Sequence, residues 1–213
     1  MFNFQNDIYL LKMEIIYNII NFFLKDTTPP PLKRSLKIEK ISRADFPSVA
    51  KIARQWQKIA VAKEQEARNS WTLSPDQFHN CAWVSTQVAN TLAGFGWNEV
   101  FVCKDGESRV QGIMITTVLT NGIYVDYLVT HPQNIRSSLN DHEIGRVASA
   151  GSSLLQYAEK RAQELNKRSV YMRPLELAKP FYQKMGYKEL GGYMIKTIEK
   201  VEQISTPLIA AAA

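Results

Sequence analysis

In the middle of the chain, short runs rich in Val, Ile, Phe and Tyr are cut by turn residues. On either side, apolar residues recur every three or four positions. The first pattern predicts strands over 98–103, 110–119 and 123–130, separated by Asp105-Gly106 and Asn121-Gly122. Asn-Gly predicts a tight hairpin, because both central positions of such a turn take positive φ. The second pattern predicts helices. Phe46, Val49, Ala50, Ile52, Ala53 and Trp56 share an apolar side, with Lys51, Arg54 and Lys58 outside it, so a helix opens between Ser42 and Asp45. Further on, Leu154, Leu155, Ala158, Ala162 and Leu165 share a face that excludes Glu159, Lys160, Glu164 and Lys167. That helix leads to a strand over 169–172, which a helical crossover should lay parallel to the strand before it. Pro180 and Gly186 bracket a helix of about two turns. Two short strands, 187–190 and 193–197, then turn around Gly191-Gly192, and 36–41 supplies a first strand. A meander followed by a crossover predicts an α/β fold (in the α+β sense) with a mixed sheet of about six or seven strands, its central strands parallel.

The richest segment chemically is 146–155. Arg146, Ser149 and Gly151, spaced among Val147, Ala148, Ala150 and Ser152, precede the long amphipathic helix. Small residues at a helix start let a backbone approach an anion, and the first N–H groups of the helix point at it. A Ser-capped helix start without a ligand fits the same residues.

Taken with its neighbours, this segment resembles the pyrophosphate loop of the GNAT superfamily of acyl-CoA-dependent N-acetyltransferases. Tyr127 to Pro132 looks like the end of that family's fourth strand. Arg146-x-x-Ser149-x-Gly151 looks like its Arg/Gln-x-x-Gly-x-Gly/Ala loop. Ala178-x-x-Phe-Tyr182-x-x-x-Gly-Tyr187 looks like its last helix and the strand after it. The resemblance runs in order over roughly 36–200. It implies a splayed, mixed central sheet flanked by helices, acetyl-CoA as co-substrate, and transfer of acetyl to a primary amine by direct attack in a ternary complex. Departures accompany the matches. Ser149 replaces the loop's middle glycine, which a small side chain tolerates if φ stays negative there. The 133–145 stretch is longer than the family's usual link, and Leu175 stands where many members carry asparagine.

Acyl transfer to an amine needs a base, a donor for the oxyanion and an acid for the thiolate. Asp126 is the candidate base, since an acid among Val125, Tyr127 and Leu128 is costly to bury without purpose or partner. Simple alternation puts Asp126, Leu128 and Thr130 on one side of the strand, with Tyr127 and Val129 on the other. The resemblance strengthens Asp126, assigns the oxyanion to backbone around Leu128, Val129 and Thr130, and makes Tyr182 the acid. The bland alternatives are a strand aspartate bonded to nearby backbone and a tyrosine that fills the helix–sheet gap. Cofactor contacts are expected from 128–130 and from Arg146, Val147, Ala148, Ser149, Ala150, Gly151 and Ser152. Arg136, in the long polar loop, is a candidate for a coenzyme A phosphate, because a guanidinium can grip two phosphate oxygens.

Composition narrows the partners. The formal net charge of +6 favours polyanionic ligands. No basic block interleaved with aromatics stands out, so nucleic acid is not expected. Cys81 and Cys103 show neither metal spacing nor a disulfide framework, so no metal is expected and a cytoplasmic setting fits. Ahead of the catalytic region, 8–24 is apolar except at Lys12, Glu14, Asn18 and Asn21. That pattern suits a helix docked on the domain, a homodimer contact or a membrane surface better than a membrane span. A Pro-rich linker closes the 1–35 extension, 36–200 forms the acetyltransferase domain, and 201–213 is a tail. Trp71, Trp83 and Trp97 are expected to pack in the core. A hydrolase nucleophile elbow at Ser149 is rejected, because His79, His131 and His142 all precede the serine. A GNAT-shaped module that binds acyl-CoA without transfer, or serves protein interaction, stays open.

Overall fold

A computed structural model describes residues 36–69, 74–94, 98–135 and 149–199. The β-rich runs become strands: β1 (Lys37–Lys40), β2 (Glu99–Lys104), β3 (Val110–Val118), β4 (Gly122–Thr130), β5 (Ser169–Met172), β6 (Lys188–Leu190) and β7 (Tyr193–Thr197). The two amphipathic segments become α1 (Phe46–Arg68) and α3 (Ala150–Glu164), the stretch bracketed by Pro180 and Gly186 holds the short α4 (Lys179–Lys184), and α2 (Pro75–Ala93) forms where the sequence pattern is less regular. One seven-stranded sheet holds the strands in the order β1-β2-β3-β4-β5-β7-β6. Its neighbours run antiparallel except β4 and β5, which are parallel. This is the mixed sheet expected from the meander and crossover.

Each face of the sheet buries a different helical layer. Leu154, Leu155, Ala158 and Ala162 of α3 pack with Met114, Ile123, Val125, Val170, Met172 and Met194. On the other face, Ala53, Trp56 and Ala60 of α1 and Val88 and Ala89 of α2 pack with Val100, Val102, Ile113, Ile115 and Val129. Burying an aliphatic or aromatic side chain of this kind contributes about 1.5–3 kcal/mol, so these two layers dominate the fold's stability. Close approach needs glycine at one point. A Cβ on Gly112 of β3 would lie 2.8 Å from Leu154 Cδ1, so α3 settles there because no side chain intervenes.

One of the turns departs from expectation. Asp105 is buried and accepts from the backbone N–H groups of Glu107 and Arg109, from Arg109 Nε and from Gln111 Nε2, which secures the first turn. At the second turn Leu119 N–H donates to Gly122 C=O, so Thr120 and Asn121 occupy the corner. Neither Asn121 nor Gly122 takes positive φ. Gly122 is needed for a different reason: a Cβ there would lie 2.7 Å from Ser169 O and 2.9 Å from a Tyr171 ring carbon, inside β5. The positive-φ pair occurs instead at Gly191 and Gly192, between β6 and β7. Trp83 also departs from the core expectation, at 48% exposed, whereas Trp56 is buried. Trp71 and Trp97 lie outside the described residues.

Candidate active site

The parting of two strands creates the site. Gly122, Ile123 and Tyr124 of β4 pair with Ser169, Val170 and Tyr171 of β5, and beyond Tyr124 the pairing stops while β4 continues to Thr130. A cleft of about 340 Å³ lies against the unpaired end of β4, lined there by Leu128, Val129 and Thr130. Gln77, Asn80, Cys81 and Val84 of α2 form one wall of it, and Leu175, Leu177 and Ala178 another. The α2 positions follow the three-to-four spacing of one helix face. That stripe was readable in the sequence, yet a wall residue and a core residue look alike until the facing strand is known. Leu175 and Leu177 give this wall of the cleft an apolar lining. Cys81 is anchored by a thiol contact of 3.7 Å to Thr130 O, and burial pushes its pKa up to about 12, so it remains a thiol.

The start of α3 faces the same end of β4. Ser153 N–H makes the first helical bond, to Ser149 O at 2.8 Å, and no side chain caps the turn. The N–H groups of Ala150, Gly151 and Ser152 therefore precede the first helical bond, as at any helix start. Gly151 sits between Thr130 of β4 and Phe181 of α4: a Cβ there would be 3.5 Å from both. Ser149 overturns an expectation. Its φ is +80°, in the left-handed region, and its side chain makes no cap bond. The backbone keeps the conformation that glycine adopts easily, at a cost of about 1–2 kcal/mol for an L residue. Ser149→Gly should therefore raise Tm by about 2–4 °C for a chain of this size, a shift that a thermal melt would show. Arg146, Val147, Ala148 and Arg136 lie outside the described residues.

A bulge moves Asp126. Ile115 pairs with Tyr127 but Thr116 pairs with Val125, so Asp126 is an extra residue in β4. The interruption breaks the simple alternation. Leu128 and Val125 both pack on the α3 side, whereas Tyr127 and Val129 pack on the α1–α2 side. Asp126 accepts from Thr117 Oγ1 at 2.8 Å and from Asn98 Nδ2 at 3.0 Å. Thr117 follows Ile113 and Ile115 along one face, which is the α1–α2 face. Asp126 thus lies opposite Leu128 and Thr130 rather than beside them. Burial raises its pKa, against the lowering effect of Thr117, Asn98 and its own backbone N–H.

Tyr182 projects from α4 into the α3-side core, 8% exposed. Its ring lies 5.2 Å from that of Phe181 and 6.2 Å from that of Tyr187. Burial alone pushes its pKa up to about 12. Tyr187 has a separate role, donating to Glu159 Oε1, while Lys196 donates to Glu159 Oε2. Among the described residues no cluster of His, Cys, Asp and Glu could hold a metal ion. No described helix is long and apolar enough to cross a membrane.

A mixed sheet that splays between β4 and β5, with a crossover helix starting beside the gap, is the architecture the resemblance implies. The chain has the GNAT fold. No family model matches the sequence, and no curated protein matches it. Solved structures that resemble this GNAT fold include the Thermoplasma acidophilum PaiA N-acetyltransferase in complex with coenzyme A, at 18% identity and a TM-score of 0.46. That match covers 76% of this chain and 99% of the other. A GCN5-related N-acetyltransferase from Rhodopseudomonas palustris matches at 16% identity and a TM-score of 0.48, over 79% and 99% of the two chains. The ribosomal-protein-S18-alanine N-acetyltransferase of Escherichia coli matches at 12% identity and a TM-score of 0.46, over 80% and 98%.

Proposed function

We propose that this chain is an N-acetyltransferase that moves an acetyl group from acetyl-CoA to a primary amine by direct attack in a ternary complex. The observation that carries this reading is the uncapped start of α3 set against the unpaired end of β4, with a cleft alongside. Anionic diphosphate suits a helix start whose residues are small and whose first N–H groups precede the helical bonds. In this reading the segment 146–152 holds the pyrophosphate, and Arg136 reaches a coenzyme A phosphate. Beyond Tyr124 the β5-side edge of β4 has no strand partner among the described residues, so its N–H groups can bind acyl and pantetheine oxygens near Leu128, Val129 and Thr130.

The chemistry then follows. The neutral amine attacks the thioester carbon, a C–N bond forms and the C–S bond breaks. Asp126 takes the amine proton, directly or through water, and Tyr182 protonates the departing thiolate. Its burial supports the second role, since a phenol held near 12 stays protonated at neutral pH.

Because burial raises the Asp126 pKa, kcat/KM should climb with pH along an acid limb above the ordinary aspartate range. Asp126→Asn should remove that limb. The stability sign is opposite. A carboxyl with a raised folded pKa is most favourable when protonated, so its contribution is present at low pH and lost as pH rises through the folded value. Melts of the wild type and Asp126→Asn across that window would separate the two effects. The function itself is tested by incubating the protein with acetyl-CoA and a panel of amines and peptides while thiol release is followed. Acetyl-CoA binding without thiol release for any acceptor would replace this reading with a non-catalytic acyl-CoA-binding module.

A further inference from the structure

Gln111 is an extra residue in β3. Cys103 pairs with Gly112 and Lys104 with Val110, so Gln111 bulges out of the register between them. Its side chain is buried and bonded at both ends. Nε2 donates to Asp105 Oδ2 at 2.9 Å, and Oε1 accepts from Asn134 Nδ2 at 3.2 Å. Asp105 dictates this orientation. An ionised carboxylate only accepts, so Gln111 turns its amide nitrogen towards Asp105 and its oxygen towards Asn134. Asn134 must then present Nδ2, which also meets Gln111 O at 3.4 Å. Burial pushes the Asp105 pKa up, but the bonds from Arg109, Glu107 and Gln111 prevail and hold it below the ordinary range, so the polarity of the chain is fixed.

The β2–β3 turn does not need this second arm. Asp105 already receives the N–H groups of Glu107 and Arg109 and the Arg109 guanidinium. The arm through Gln111 instead crosses 23 residues of sequence to the place where β4 ends. There His131 N–H donates to Gln111 O, and Asn134 N–H donates to His131 O. Ile135 follows at once and enters the cleft wall beside Leu128, Val129 and Thr130. An apolar contact would hold this exit at a distance, whereas a fully paired polar chain also fixes its direction.

We propose that Asn134 is a positioning residue: gripped by Gln111, which the Asp105 carboxylate orients, it sets the exit of β4 so that Ile135 closes the cleft wall against acetyl-CoA. This rests on the proposed function and adds to it side chains that touch no reacting atom.

The alternative is that the chain only fastens the β2–β3 turn. Steady-state kinetics and acetyl-CoA calorimetry on four variants, with melting curves as the folding control, distinguish the two. Asn134→Leu and Gln111→Leu should each raise KM and Kd for acetyl-CoA about fivefold, the scale of one net hydrogen bond, and keep kcat within about twofold. The double variant should be no worse than either single one, because both substitutions break the same chain. Arg109→Ala removes a guanidinium from the turn and leaves the chain to Asn134 intact, so it should lower Tm without changing KM. Unchanged KM in a folded Asn134→Leu protein would overturn the inference. So would additive effects in the double variant, or an equal rise of KM in Arg109→Ala. Any of these with normal wild-type turnover would leave the acetyltransferase reading standing. A wild type that binds no acetyl-CoA would remove both.

Discussion

Tyr182→Phe is expected to lower kcat by about 10²-fold, near the low end of what general acid–base catalysis contributes. The substitution deletes one oxygen and keeps the ring that packs against Phe181 and Tyr187. Core density is therefore almost unchanged, and a loss of activity cannot be charged to a collapsed α4. Acetyl-CoA affinity should hold steady, because the hydroxyl acts on the departing thiolate rather than on the bound cofactor. Steady-state kinetics alongside calorimetry would test the split between kcat and binding. Wild-type kcat in the variant would leave Tyr182 as a packing residue only.

Gly151→Leu should abolish measurable acetyl-CoA binding. Gly151 lies where α3 begins, between Thr130 and Phe181, and its own Cβ position is at ordinary contact distance from both. An alanine methyl therefore fits, and Gly151→Ala should fold at least as stably as the wild type, given alanine's higher helix propensity. The leucine branch has no such room, and it extends over the N–H groups proposed to hold the pyrophosphate. Calorimetric titration of acetyl-CoA into both variants, with melting curves as the folding control, separates cofactor exclusion from misfolding. Unchanged affinity in a folded Gly151→Leu protein would place the phosphates elsewhere.

Much of this architecture is encoded locally. Chain-local periodicity determined where the strands and the helices α1 and α3 run, because side-chain spacing along a helix or strand follows from backbone geometry alone. The Gly191-Gly192 turn, the Gly186 stop at φ +86° and the crossover that makes β5 parallel to β4 are likewise properties of nearby residues. The order of motifs along the chain carried the resemblance to the GNAT superfamily.

Tertiary pairing decided the rest. Alternation assigned Asp126 to the face of Leu128 and Thr130, but the bulge against β3 places it on the opposite face, with Thr117 and Asn98. A bulge is a mismatch between two strands, and neither strand shows it alone. Gly122 suggested a positive-φ turn, yet what demands glycine there is the backbone of β5, some distance away in sequence. Ser149 suggested an ordinary helix start with negative φ, whereas the chain enters α3 through a left-handed residue. The cleft wall of Gln77, Asn80, Cys81 and Val84 was indistinguishable from a buried helix stripe until β4 was seen to part from β5. Period and turn chemistry are short-range and can be read from one chain segment. Register, face and enclosure depend on a second segment, and for this protein those are the features that build the site.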